Sequence, residues 1–337
     1  MGMFGDSREE EVKTPGRRRV CPSCNETYGC EALVCPEDGA GLLEVPDAPL
    51  LTGSCLEARY DIGGVVGTGG MGVVYRAHQR AMEREVAVKV LHPEYCHNPR
   101  AVKRFFREAQ AASRLVHPHV VSVYDFGRSA DGHLYMVMEL LEGWTLGDLI
   151  HHRAPLSPGT AVVIATQICE ALQAAHEHRI VHRDLKPDNV QLVAREGSVL
   201  AKVLDFGIAR VMKDPDSDLG LNLSTVDIAG TPAYMSPEQI MGKDPDPRTD
   251  LYSLGVILYE MLTGKRPFAD DNSVTLCMKQ LNDAPPDLEE HIGPGVIPED
   301  VKRIVNQLLA KDAGDRPASA GEVARSLLQT RVCDREL

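Results

Sequence analysis

The chain has 337 residues, 43% of them hydrophobic, with 49 acidic against 36 basic side chains and a net charge of −13. That length suits two or three domains, and the charge argues against nucleic acid as the main partner. No apolar run approaches the roughly 18–20 residues that span a bilayer, and the opening MGMFGDSREEEVK lacks the apolar core of a signal peptide.

Nine cysteines are present, five of them scattered. Scattered cysteines fit a reducing compartment, so a cytoplasmic protein without a membrane span is expected. Residues 1–20 are charged and read as a disordered tail. Residues 21–43 hold Cys21, Cys24, Cys30 and Cys35. A C-P-x-C turn aims two thiolates at one metal, and CPEDG repeats that turn with Asp38 in place of the second cysteine. The expected ligands are Cys21, Cys24 and Cys35, with Asp38 as the fourth on symmetry of spacing and Cys30 as the alternative. So short a module has little core, and Zn²⁺ in such a site supplies roughly 10–16 kcal/mol of folding free energy. The competing reading is a ribbon without metal or a redox-sensitive cluster. The role expected of it is contact with a regulatory partner. Residues 44–59, including EVPDAPLLTGS, read as a linker.

From Tyr60 onward the pattern is globular. GTGGMGVVY carries glycines at 67, 69 and 72, then Val74. Such glycines let backbone amides approach phosphate oxygens. A strand pattern follows them, where a dinucleotide site would need a helix, and no P-loop GK[ST] ending is present. The loop therefore reads as a lid between two strands. VVYRAH and EVAVKVL alternate like strands, with QRAMER as a polar turn between them. Lys89 sits inside the second apolar run, where an unpaired charge is costly. One reading is an edge lysine that snorkels. The other is a lysine aimed at phosphate and paired with a carboxylate, Glu108 being the best candidate. Glu108 falls on a predicted helix over 101–115, with Val102, Phe105, Phe106 and Ala109 on one face. LYMVMEL is an apolar strand. After residue 145 helices dominate: PGTAVVIATQICEALQAAHEH, DLYSLGVILYEMLTG and EDVKRIVNQLLAK. A sheet-rich part followed by a larger helical part predicts two lobes.

Between the first and second of those helices lies VHRDLKPDNV, and sixteen residues after Asn189 comes Asp205 of DFG. Asp184 can orient a hydroxyl and take its proton. Lys186 can neutralise charge on a transferring phosphoryl group, and Asn189 and Asp205 can hold a metal ion. Phosphoryl transfer asks the protein for positioning and charge neutralisation, and these residue types supply both.

With GTGGMGVV, VAVK, HRDLKPDN, DFG, GTPAYMSPE, DLYSLGV and GDRP in order, residues 60–328 resemble a eukaryotic-type protein kinase domain. The style is most like the bacterial serine/threonine members. The resemblance implies an α+β bilobal kinase fold, with an N-lobe over 60–141, a C-lobe over 142–328 and a tail over 329–337, preceded by the zinc-ribbon-like module. It implies that Gly67, Gly69, Gly72 and Val74 cover ATP, and that Lys89, paired with Glu108, holds its α and β phosphates. Met138 is the gatekeeper, and Glu139 and Leu141 offer backbone groups to adenine. Asp184 is the catalytic base, Lys186 steadies the γ-phosphate, and Asn189 and Asp205 bind Mg²⁺. Thr231 contacts the catalytic loop, Glu238 pairs with Arg316, and Asp250 anchors the catalytic loop. Ser236 stands where the family more often has Ala. Arg183, helped by Arg210, resembles the arginine that captures an activation-loop phosphate, and Thr225 or Ser224 is the expected autophosphorylation site. The function implied is ATP- and Mg²⁺-dependent phosphorylation of protein Ser/Thr hydroxyls; the alternative weighed is a pseudokinase-like scaffold that recruits partners through the cysteine ribbon.

Overall fold

The structure, a computed structural model, describes residues 18–24, 26–29, 31–45, 51–69, 71–195, 197–206, 232–244 and 246–332. Cys30, Gly207, Arg210, Ser224, Thr225 and Thr231 lie outside the described residues. The chain divides into two compact units, one through His92 and one from Pro93.

In the first unit, β1 (Arg18–Val20), β2 (Thr27–Gly29) and β3 (Leu43–Val45) form an antiparallel sheet in the order β2-β1-β3. The first strand reaches back into the stretch that composition assigns to a charged tail. Backbone pairing of Arg19 with Tyr28 and burial of Val20 recruit it, and neither depends on the flanking charges. Two turns hang from this sheet, closed by Cys21 N–H donating to Glu26 O (3.0 Å) and Cys35 N–H donating to Ala40 O (2.7 Å).

The same unit continues with β4 (Cys55–Leu56), β5 (Tyr60–Gly69), β6 (Gly72–Gln79) and β7 (Arg84–Leu91), each antiparallel to the next. The short strand β4 falls inside the stretch read as linker, because Leu56 is buried and its backbone pairs with Tyr60. Tyr60, Ile62, Val65, Val73, Tyr75, Ala77, Val86 and Val88 are buried along these strands. QRAMER forms a single 3₁₀ turn, Arg80–Met82, ended by Glu83 in the left-handed region.

The second unit opens with α1 (Pro93–Cys96) and α2 (Pro99–Ser113). Asn98 caps α2 by accepting from the Arg100 and Ala101 amides, and Pro99 supplies the preset φ of a first helical position. Its buried stripe is Ala101, Phe105, Ala109 and Ala112, spaced by a helical turn; Val102 and Phe106 flank it. The hairpin of β8 (Val123–Arg128) and β9 (Leu134–Glu139) follows. Helix α2 packs on β8, and the lead into β8 is stitched to a later strand: Val121 N–H donates to Val203 O (3.0 Å), and Val203 N–H to His119 O (2.9 Å).

Next come β10 (Trp144–Thr145), α3 (Leu146–Arg153) and α4 (Pro158–Glu177), then the hairpin β11 (Val190–Arg195) and β12 (Ser198–Val203), with β10 paired to β11. The remaining helices are α5 (Pro237–Ile240), α6 (Pro247–Thr263), α7 (Ser273–Asn282), α8 (Glu289–Ile292), α9 (Glu299–Leu308) and α10 (Ala320–Leu328). Helix α6 starts at Asp246 and Pro247 and stops at Gly264, whose φ of 71° only glycine adopts readily. It is buried on nearly all sides, and its leucines meet Ile164, Ile168 and Leu172 of α4 and Val305 and Leu308 of α9 in one core. Each such side chain, fully buried, stabilises by about 1.5–3 kcal/mol. Among the described residues no helix is long and apolar enough to cross a membrane.

Candidate active site

The glycine-rich stretch is the turn of the β5–β6 hairpin. Gly69 pairs with Gly72, and Gly67 with Val74, which in turn pairs with Lys89 on β7. One ladder thus sets Gly67, Val74 and Lys89 side by side. A Cβ on Gly72 would lie 2.1 Å from Val90 O, so the backbone approach there requires glycine. Lys89 is buried in its apolar strand.

In the second unit, Glu108 lies on α2 beside the buried stripe, its side chain only 15% exposed, and Arg107 Nη2 donates to its Oε1 at 2.9 Å. Glu139 ends β9. Its N–H donates to Ser122 O (2.9 Å), and its carboxylate accepts from the buried Lys202 on β12 (2.9 Å). Leu141 follows two residues on. Met138, Asp205 and Phe206 line one small cavity of about 10 Å³.

Residues 182–189 form a loop closed by the 3₁₀ turn Pro187–Asn189. Three predicted residues converge there. Lys186 Nζ lies 3.3 Å from Asp184 Oδ2. Asn189 Nδ2 donates to Asp184 O (2.7 Å) and to Asp184 Oδ2 (3.2 Å). With its amide nitrogen committed this way, the acceptor that Asn189 offers is Oδ1. Asp205 is brought to the same end by the β11–β12 hairpin: Val190 pairs with Val203, and Leu204 N–H donates to Asn189 O (2.9 Å). Asp205 has φ 59° and Arg183 φ 69°. Left-handed backbone at such residues costs about 1–3 kcal/mol each and persists where neighbours over-determine it.

Those neighbours are visible. Asp250 on α6, fully buried, accepts from His182 N–H at Oδ2 and Arg183 N–H at Oδ1, both 2.8 Å, and from His176 Nε2 at 2.8 Å. His182 donates from Nε2 to Leu204 O (2.7 Å) and accepts at Nδ1 from Asp184 N–H (3.3 Å), which assigns its proton to Nε2. The side chain of His182 therefore joins the Asp184 turn to the strand end before Asp205. Gln239 of α5 donates to Arg183 O at 2.7 Å.

Glu238 and Arg316 make two parallel bonds, 2.7 and 2.9 Å, and Thr249 donates to Glu238 at 3.0 Å. Burial pushes the Glu238 carboxyl up, but the Arg316 hydrogen bonds and charge outweigh it and hold the group below its usual range. Nearby, burial raises Glu260 despite the hydrogen bond it accepts from Tyr234 (2.5 Å). Ser236, the departure from the family pattern, is buried and caps α5 reciprocally with Gln239.

In the cysteine module, Cys21 Sγ, Cys24 Sγ, Cys35 Sγ and a carboxylate oxygen of Asp38 lie within 4.8 Å of one another. Cys21 and Cys35 are buried, Cys24 and Asp38 exposed. Sequence reasoning missed Lys202, His176, the His182 bridge, Gln239 and Tyr28. Only the buried lysine inside the apolar stretch LAKVL carried a local signal.

The family model for the protein kinase domain matches residues 60–331. The serine/threonine-protein kinase pkn3 of Myxococcus xanthus is 40% identical over 279 residues, 82% of this chain and 51% of that protein. PrkC of Bacillus subtilis, also a serine/threonine-protein kinase, is 38% identical over 286 residues, 85% of this chain and 42% of that protein. The chain spans about half the length of the curated relatives it matches. Among solved structures, the PknI kinase domain of Mycobacterium tuberculosis aligns with a TM-score of 0.65 at 28% identity, covering 83% of this chain and 99% of that one.

Proposed function

The chain belongs to the protein kinase family, and on that premise we propose that it transfers the γ-phosphoryl group of ATP to serine or threonine hydroxyls of proteins. The observation that carries this reading is the convergence of Asp184, Lys186 and Asn189 in one loop, beside the strand end that delivers Asp205. Asp184 Oδ2 orients the acceptor hydroxyl and takes its proton as the phosphorus–oxygen bond forms. Lys186, 3.3 Å from that oxygen, neutralises charge on the phosphoryl group in flight. Asn189 Oδ1 and the Asp205 carboxylate are the oxygen donors that suit Mg²⁺, which when bound neutralises the β- and γ-phosphate oxygens. Lys89 is assigned to the α and β phosphates, under the hairpin of Gly67, Gly69 and Gly72. Val74 is assigned to nucleotide binding, and the backbone groups of Glu139 and Leu141 are those expected to bond adenine. The sulfur-rich ligand set of the N-terminal module suits Zn²⁺, and the module is where a regulatory partner would bind.

The test is labelling from [γ-³²P]ATP with Mg²⁺ and a generic Ser/Thr substrate. Loss of a general base typically costs about 10²–10⁴-fold, so Asp184→Asn should lose labelling by that order. ATP bound without transfer by wild type would favour the scaffold reading. Autophosphorylation is assigned to Thr225 or Ser224, with Arg183 as the cation that receives the phosphate. Mass spectrometry after incubation with ATP should find phosphate on one of them; two bare residues would refute the assignment.

A further inference from the structure

The cysteine module spans fewer than 30 residues, and among its described apolar side chains only Val20, Cys21 and Cys35 are buried, while Leu33 and Val34 are exposed. A core that small does not hold two turns in place, so something else must set their geometry.

The geometry itself has the dimensions of a coordination shell. Two Zn–S bonds of about 2.3 Å at a tetrahedral angle put the sulfurs about 3.8 Å apart. Cys24 Sγ and Cys35 Sγ, one from each turn, lie 3.7 Å apart. A sulfur and a carboxylate oxygen on the same ion should lie about 3.5 Å apart. Cys21 Sγ lies 3.2 Å from Asp38 Oδ2 and 3.5 Å from Oδ1, again across the two turns. The surrounding groups are those that orient ligands. The amides of Ser23 and Cys24 both donate to Cys21 Sγ at 3.4 Å. Ala40 N–H donates to Asp38 Oδ1 at 2.9 Å, which leaves Oδ2 for an ion. Tyr28 on β2 places its hydroxyl 3.2 Å from Cys35 Sγ. A phenol is a poor ligand beside three thiolates but a good hydrogen-bond donor to one.

We propose that Cys21, Cys24, Cys35 and Asp38 bind a single zinc ion as a three-sulfur, one-oxygen tetrahedron. Tyr28, outside the shell, sets the ion's affinity by donating its hydroxyl hydrogen to the Cys35 sulfur. This rests on the Zn²⁺ reading of the module and is independent of whether the chain transfers phosphate. The three-sulfur shell carries a net −2 charge on the zinc site once Asp38 is counted, and a hydrogen bond to one thiolate spreads that charge. Losing a partner outside the shell typically weakens metal binding about 10–100-fold.

The experiment uses the full chain purified without chelators. Elemental analysis should find one zinc per chain in wild type, in Tyr28→Phe and in Cys30→Ser. Competition with a chromophoric chelator should show Tyr28→Phe binding about 10–100-fold more weakly and Cys30→Ser unchanged. Cobalt exchanged into wild type should give tetrahedral d–d bands with thiolate charge transfer of three-sulfur intensity, diminished in Cys35→Ser. Wild type that holds no zinc and takes none up on dialysis overturns the metal site altogether. A four-sulfur cobalt spectrum that Cys30→Ser reduces overturns Asp38 as ligand. Zinc-loaded wild type whose affinity Tyr28→Phe leaves unchanged overturns the role of Tyr28 alone. None of these readouts uses phosphoryl transfer, so failure here and failure of the kinase reading are separable.

Discussion

Arg316 uses its whole guanidinium: two nitrogens on Glu238, further donations to the carbonyls of Ala310, Arg248 and Lys311, and a ring face of Tyr252 4.9 Å from Cζ. A lysine could not replace that fork. Removing one partner of such a buried pair leaves an uncompensated charge, so Arg316→Ala should destabilise by about 3–5 kcal/mol, read as a lowered urea midpoint. The pair also sets an acid limit. The Glu238 carboxyl is held below its usual range in the folded state, so its contribution is complete above the ordinary carboxylate range and is lost as pH falls through the depressed folded value. Urea midpoints taken at falling pH should therefore drop more steeply in wild type than in Glu238→Gln. Equal slopes would show that other carboxyls dominate. At the same scale Ser236 explains itself: alanine there would lose the cap on α5 that the Ser236 side chain provides. The local sequence shows a small residue for a small residue, and the hydrogen bond becomes visible only with Gln239 in place.

Helix α6 is the element on which the second unit is built. It presents Asp250 to the loop of residues 182–189 at its start and Gly255 to α9 further along. A Cβ on Gly255 would lie 2.7 Å from Leu308 Cβ and 3.2 Å from Leu308 backbone. Gly255→Val should therefore push the two helices apart and cost about 1–3 kcal/mol, as overpacking does. Circular dichroism melts would read this as a lower midpoint with the helical signal retained. A midpoint equal to or above that of wild type would show that the α6–α9 contact yields freely. The hairpin β11–β12 plays the comparable part for the chemistry. Its register carries Asn189 and Asp205 to one end, and Lys202 within it ties Glu139 to the strand that leads to Asp205. Alternation in LAKVL marks a strand, but the partner of its lysine, 63 residues away, follows from topology.

For the molecule as a whole, nucleotide binding should appear as stability. A ligand at 100 times its dissociation constant stabilises the native state by about 2.7 kcal/mol. Thermal midpoints should rise with ATP and Mg²⁺ and rise less with ATP and EDTA; no shift with either would contradict nucleotide binding. The sequence by itself determined which groups are present and in what order: the glycines, Lys89, the Asp184-Lys186-Asn189 loop, Asp205 and the cysteine turns. Phosphoryl transfer and thiolate ligation demand particular residue types at short spacings, and short spacings survive in a linear string. The helices of the second unit were legible for a similar reason, since their apolar periodicity is local. Tertiary structure alone decided which distant groups meet. His176, His182 and Arg183 share one carboxylate on α6, Gln239 reaches the loop from α5, and the Tyr28 hydroxyl on β2 meets the Cys35 sulfur. Such contacts depend on how helices and strands pack, because a hydrogen bond is made by atoms within about 3 Å of each other, whatever their separation along the chain.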